Sequence, residues 1–219
     1  MTTRNGRVVL VAGATGLVGR EIVSALLADS GVAVIHCVGR RPLAAGHPKL
    51  HGHVVDFAAL PELPRVDECY IALGTTIKVA GSQAAFKAID LDAVVAVAMA
   101  AKAAGATKFG VVSAMGADPQ SRVFYNRIKG EMEVALANME LKSLVIARPS
   151  LLDGDRTALG QPQRSGESFG LMLARRLRPL VPANYRAILA KDVAHALTRA
   201  VKAARPGVVT LMSGEMQGG

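Results

Sequence analysis

At 219 residues the chain fits one α/β domain spanning 1–219 with a small appended lobe, not two full domains. A hydrophobic fraction of 51% supplies a sizeable core; with 4% aromatics and no Trp, that core must be Val, Leu, Ile and Ala, the filling of a parallel sheet under helices. Lys and Arg outnumber Asp and Glu by 26 to 17, but the charges are dispersed and match no nucleic-acid-binding motif, which makes a nucleic acid an unlikely partner.

Strands and helices alternate from the first residues. Arg7–Ala12 reads as a short apolar strand, Leu17–Ala28 as an amphipathic helix, Val32–Val38 as a second strand and His53–Asp56 as the core of a third. Glu68–Leu73 gives a fourth strand, followed by a long Ala-rich helix from about Ser82 to Ala104. Lys108–Val112 is a fifth strand, Ser121–Met139 a second long helix and Ser143–Ala147 a sixth strand. This alternation predicts a doubly wound, mostly parallel sheet with helices on both faces. Residues 150–190, rich in Pro, Gly and cations, read as a small irregular lobe on the substrate side, with one helix near Glu167–Leu177. Order returns with a helix over Lys191–Ala203, whose first turn carries Asp192 where the macrodipole favours a carboxylate, and a last strand over Val208–Leu211.

Cys37 and Cys69 sit in apolar strand patterns and read as buried, reduced thiols. The N-terminus enters a strand at once without a cleavage site, and the most apolar helix carries Asp92 and Lys102 and is too short to span a bilayer. A soluble cytoplasmic protein with no membrane partner is the expectation. His47, His51 and His53 fall in a Gly/Pro-containing stretch and read as turn and strand edge, while His36 and His195 read as core or boundary packing. No metal site is expected.

After the first strand comes Gly13-Ala14-Thr15-Gly16-Leu17-Val18-Gly19. A strand, a glycine turn and a helix N-terminus together form an anion site, with unpaired N–H groups and the positive helix end facing a pyrophosphate. The second strand ends in Gly39-Arg40-Arg41. An acidic residue there would serve the ribose hydroxyl of NAD, whereas arginine offers forked, charge-assisted bonds to a 2′-phosphate, so NADP(H) is expected over NAD(H). Asp56-Phe57, after the third strand, falls near the adenine, with a capping role for Asp56 as the competing account.

Tyr125 and Lys129 stand four apart on a helix and so share a face. A phenol next to an ammonium can give a proton to a carbonyl as hydride arrives, or take one from an alcohol in reverse. Ser113 closes the fifth strand.

These features resemble a short-chain dehydrogenase/reductase, and more narrowly the atypical branch of the HIV-Tat-interacting-protein oxidoreductase and its bacterial relatives. The stretches that carry the resemblance are Val38-Gly39-Arg40-Arg41, Val55-Asp56-Phe57, Leu73-Gly74-Thr75-Thr76, Ser113-Ala114-Met115-Gly116-Ala117-Asp118, Tyr125 to Glu131, and Ala147-Arg148-Pro149-Ser150. The resemblance implies a Rossmann fold, with Leu73, Gly74 and Thr75 lining the cofactor and Pro149 near the nicotinamide. It makes Ser113, Tyr125 and Lys129 the catalytic set, and it allows a homodimer paired through long helices. Many relatives carry a second serine where this chain has Ala114, and an asparagine where it has Asp90. The expected function is an NADP(H)-dependent oxidoreductase acting on a small carbonyl or quinone-like substrate. The alternatives are a cofactor-bound sensor or partner-binding protein with little turnover, and a nucleotide-sugar epimerase or dehydratase.

Overall fold

The first strand, β1 (Arg7–Ala12), is apolar after Arg7 and buried over its last five positions, so it lies at the centre of a sheet. The structure, a computed structural model, describes residues 6–43, 46–153 and 182–218. From β1 the chain passes through the glycine turn into α1 (Leu17–Ala28), then β2 (Val32–Gly39) and the edge strand β3 (Leu50–Val54). It returns across the sheet to β4 (Glu68–Ile71), a short α2 (Ile77–Ala80), α3 (Gln83–Lys87), a π-helical turn at Ala88–Asp92 and α4 (Ala93–Ala103). The next elements are β5 (Lys108–Val112), α5 (Phe124–Ala137), β6 (Ser143–Arg148) and β7 (Leu152–Asp153). The last described stretch holds β8 (Ile188–Leu189), α6 (Ala190–Ala203), β9 (Gly207–Met212) and α7 (Ser213–Met216).

Seven strands form one sheet in the order β3-β2-β1-β4-β5-β6-β9, paired in parallel throughout; β7 and β8 make a separate parallel pair. The doubly wound Rossmann sheet expected from the alternation is therefore present. The strand order reverses between β1 and β4, and such sheets bind ligands in the crevice at the carboxyl ends of the strands beside the reversal. On one face Val18, Ile22 and Leu26 of α1 pack with Val193, Leu197 and Val201 of α6. On the other, Val94, Val97 and Ala101 of α4 pack with Met132 and Leu136 of α5. At the amino ends, buried Glu68 receives Arg7 at 2.9 Å and Lys108 at 3.3 Å, tying β1, β4 and β5 together opposite the crevice.

Several expected boundaries move. β3 starts at Leu50 and ends at Val54, not His53–Asp56, because it pairs with Ile35–Gly39 and Asp56 instead closes a turn. The Ser82–Ala104 helix is interrupted by the π turn, and Ser82 caps its start by accepting from the Ala85 N–H at 3.0 Å. α5 begins at Phe124, since the Asp118 carboxylate and the Ser121 hydroxyl bind backbone N–H groups of the preceding turn. Cys37 and Cys69 are buried and unbridged. His195 is exposed, contrary to the packing expected of it, because it lies on the outer face of α6. The helix expected near Glu167–Leu177 lies outside the described residues, as does most of the lobe.

Candidate functional site

The glycine turn depends on close backbone approach. Gly13 has φ +87°, and a Cβ there would stand 2.5 Å from the Ala72 carbonyl oxygen. A Cβ on Gly19 would meet the Gly13 carbonyl oxygen at 2.0 Å, so α1 is pressed onto the turn by the absence of a side chain. Gly16 is the N-cap of α1; no side chain caps the helix and its first turn carries no carboxylate. The leading N–H groups at Leu17, Val18 and Gly19 are thus left for an external anion. Ala14 and Val18 are buried beneath the turn, and Thr15 is half-buried.

At the neighbouring strand ends, the Val55 N–H donates to the Gly39 carbonyl at 2.9 Å and holds the exits of β2 and β3 together. Arg40 and Arg41 are exposed there beside exposed Asp56 and half-buried Phe57. Asp56 Oδ1 accepts from the Ala58 N–H at 3.0 Å, which is the capping role weighed against an adenine contact.

Across the crevice, Leu73, Gly74 and Thr75 follow β4. Lys129 is 3% exposed and its ammonium lies 2.7 Å from Asp90 Oδ1. The two groups form a buried ion pair, with Asp90 fully enclosed. Oδ2 accepts from the Thr75 N–H at 2.9 Å. Gly74 lies against the pair: a Cβ there would stand 3.5 Å from Asp90 Oδ1 and 3.9 Å from Lys129 Nζ. The π turn is what carries Asp90 inward. Half-buried Tyr125 packs its ring against Phe86 with centroids 5.4 Å apart, one turn before Lys129 on α5.

Ser113 is buried, and its hydroxyl donates to Glu133 Oε1. Glu133 is held in turn by Arg148 Nη2 at 2.5 Å and Nε at 3.1 Å. A serine hydroxyl has one proton, and here a carboxylate holds it. The Glu133 pairing raises the Arg148 guanidinium above its usual range. Glu133 and the pairing of Arg148 were missed from sequence, although Tyr125, Lys129 and Glu133 recur every four residues on one helix face, which is a legible signal. Pro149 is buried and its carbonyl accepts from the Met115 N–H at 2.8 Å, joining the β5 and β6 exits.

The geometry is matched by kinship. A family described as NAD(P)H-binding matches residues 13–204. Protein HTATIP2 of Rattus norvegicus is 30% identical over 216 residues, covering 95% of this chain and 84% of that protein. Protein FMP52 of Coccidioides immitis is 35% identical over 162 residues, and the alignment covers 67% of this chain and 66% of that protein. Among solved structures, MoeE5 in complex with UDP-glucose and NAD superposes with a TM-score of 0.71 at 20% identity, covering 93% of this chain and 74% of that one, a likeness of fold. The FMP52 relatives are named mitochondrial, which overturns the cytoplasmic location expected from sequence. That expectation rests on a missing secretory signal and the lack of a spanning helix, and neither separates cytosol from mitochondrion. Among the described residues no helix is long and apolar enough to cross a membrane. With its glycine turn, its reversal of strand order and these relatives, the chain belongs to the NAD(P)H-binding atypical short-chain dehydrogenase/reductases of the HTATIP2 branch.

Proposed function

We propose that the chain is an NADP(H)-dependent oxidoreductase reducing a small carbonyl or quinone-like substrate, with Tyr125 as acid and base and Lys129 assisting. The observation that carries this reading is the uncapped start of α1 behind a turn that Gly13 and Gly19 hold in close backbone contact, an anion site whose leading N–H groups have no side-chain cap. Lys129, paired with Asp90 beside Gly74, supplies an ammonium suited to ribose hydroxyls, which can accept from it. In this reading Gly13, Ala14, Thr15, Gly16, Leu17, Val18 and Gly19 cradle the pyrophosphate. Arg40 and Arg41 take the 2′-phosphate, Asp56 and Phe57 border the adenine, and Leu73, Gly74, Thr75 and Pro149 line the nicotinamide side. The nicotinamide supplies the hydride when bound. Tyr125 passes its phenolic proton to the carbonyl oxygen of the substrate, and Lys129, anchored by Asp90, holds the ribose. Residues 150–190 serve as the substrate-side lobe of one domain.

A second reading, a cofactor-bound sensor with little turnover, is favoured by one observation: Ser113 donates its proton to Glu133, so it does not offer it to a substrate oxygen. Calorimetric titration with NADPH and NADH, on the wild type and Arg40→Ala, tests the cofactor site. A preference for NADPH that collapses in Arg40→Ala is expected. Tyr125→Phe should then abolish NADPH consumption in a carbonyl and quinone panel while leaving NADPH affinity nearly intact. Cofactor binding with no substrate-dependent rate across the panel selects the sensor, and no binding of either nucleotide refutes both readings.

A further inference from the structure

A cavity of about 190 Å³ lies at the amino ends of β1 and β4, where the final turns of α1 and α6 meet. Its apolar lining comes from Ala25 and Leu26 of α1 and Tyr70 of β4. A cavity of about 150 Å³ takes benzene, so this one has room for a benzene-sized body and a small charged head. Arg199 and Lys202 of α6 also line it and are exposed, so it is reached from solvent. The cofactor turn stands at the other end of β1, a strand about 20 Å long.

Hydrogen-bond donors are in excess around this cavity. Arg7 gives one N–H to Glu68 at 2.9 Å and one to Asp29 at 2.6 Å, and its Nε reaches the Gly31 carbonyl at 3.5 Å. A guanidinium carries five N–H groups, so two stay uncommitted. Lys202 gives one of its three to Asp29 at 2.8 Å. Arg199, three residues earlier and so on the same helix face, makes no hydrogen bond or ion pair among the described residues. The acceptors, by contrast, are occupied. Asp29 takes Arg7, Lys202 and the Gly31 N–H, while Glu68 is fully buried and takes Arg7, Lys108 and Tyr70. Four cations (Arg7, Lys108, Arg199, Lys202) against two carboxylates (Asp29, Glu68) leave two positive charges. The carboxyl ends of α1 and α6 offset about one of them, so the cavity stays positive.

We propose that this cavity binds a small organic carboxylate, with its apolar body against Leu26 and Tyr70 and its charged head on Arg199, Lys202 and Arg7. Carboxylate oxygens suit the forked guanidinium and the spare ammonium protons. An amine would meet cations and no free acceptor. Inorganic phosphate would satisfy the cations but leave the apolar lining unfilled.

The test titrates full-length protein with benzoate at low salt, by calorimetry and by NMR. The expected result is one saturable site with a dissociation constant of roughly 1–10 mM, the range for a ligand of this size. Benzyl alcohol and benzylamine should show no saturable binding. Arg199→Ala should weaken benzoate at least about threefold, since it removes a charge-assisted bond at an exposed position. Ala25→Leu, at a half-buried position, should abolish binding by filling the cavity. Lys191→Ala, exposed at the opposite end of α6, should bind like the wild type. Saturating NADPH should not displace benzoate. No saturable binding, full displacement by NADPH, or wild-type affinity in both Arg199→Ala and Ala25→Leu overturns the proposal.

Discussion

Replacing Gly19 by Ala would place a Cβ 2.0 Å from the Gly13 carbonyl oxygen and 2.8 Å from its carbonyl carbon. Relaxed non-bonded contacts lie near 3.5 Å, so α1 and the turn must part by about 1.5 Å. Both partners are backbone and cannot rotate away. Overpacking of this kind costs about 1–3 kcal/mol, while alanine returns at most about 1 kcal/mol of helix propensity. The net effect is a loss of about 1–2 kcal/mol, or a Tm lower by roughly 2–8 °C. The same shift moves the leading N–H groups of α1 out of hydrogen-bonding range of a phosphate held there, so NADPH affinity should fall at least about tenfold. Gly16→Ala is the control, since its Cβ would sit 3.4 Å from the Gly13 oxygen and its φ of −80° suits any residue. That variant should melt within about 1 kcal/mol of wild type. Thermal melts and calorimetric NADPH titrations of the two variants decide the matter. Wild-type stability in Gly19→Ala, or a greater loss in Gly16→Ala, would refute the close-approach argument.

Further outcomes follow from the same contacts. Asp90→Ala leaves the buried Lys129 ammonium without its carboxylate and should cost about 3–5 kcal/mol in urea unfolding. Glu133→Ala frees Ser113 and strips Arg148 of its partner; Arg148 is only partly buried, so the loss in the same assay should be smaller, about 2–3 kcal/mol. The Lys202 hydrogen bond, with help from the Gly31 N–H and Arg7, lowers the Asp29 pKa from 3.8 to about 2. A depressed carboxylate stabilises the fold above its unfolded pKa, and that contribution is lost as pH falls through about 4 toward 2. Asp29 is partly solvated, so the loss is about 1 kcal/mol or less, and acid titration of Asp29→Asn should lack that portion of the decline. Burial pushes the Cys37 thiol up to about 12 and raises the Cys69 thiol further, so neither should react with a disulfide reagent at mildly alkaline pH until the protein unfolds.

The sequence by itself determined the features whose physics is local. β1 and α1 have the expected bounds, because an apolar run, a glycine turn and an amphipathic period leave little choice over those residues. The alternation of elements dictated a parallel sheet, and the four-residue spacing placed Tyr125 and Lys129 on one helix face. Only the tertiary structure decided what depends on neighbours distant in the chain. Pairing with β2 sets where β3 begins, and packing brings Asp90 of the π turn against Lys129 of α5. Ser113 is bound by Glu133, twenty residues onward, because two elements meet at the sheet's carboxyl edge. His36 meets His51 and His53 through strand register alone. Periodicity reports which way a side chain leaves its own backbone; which partner waits there is settled by packing, where burial makes an unpaired charge or hydroxyl too costly to leave alone.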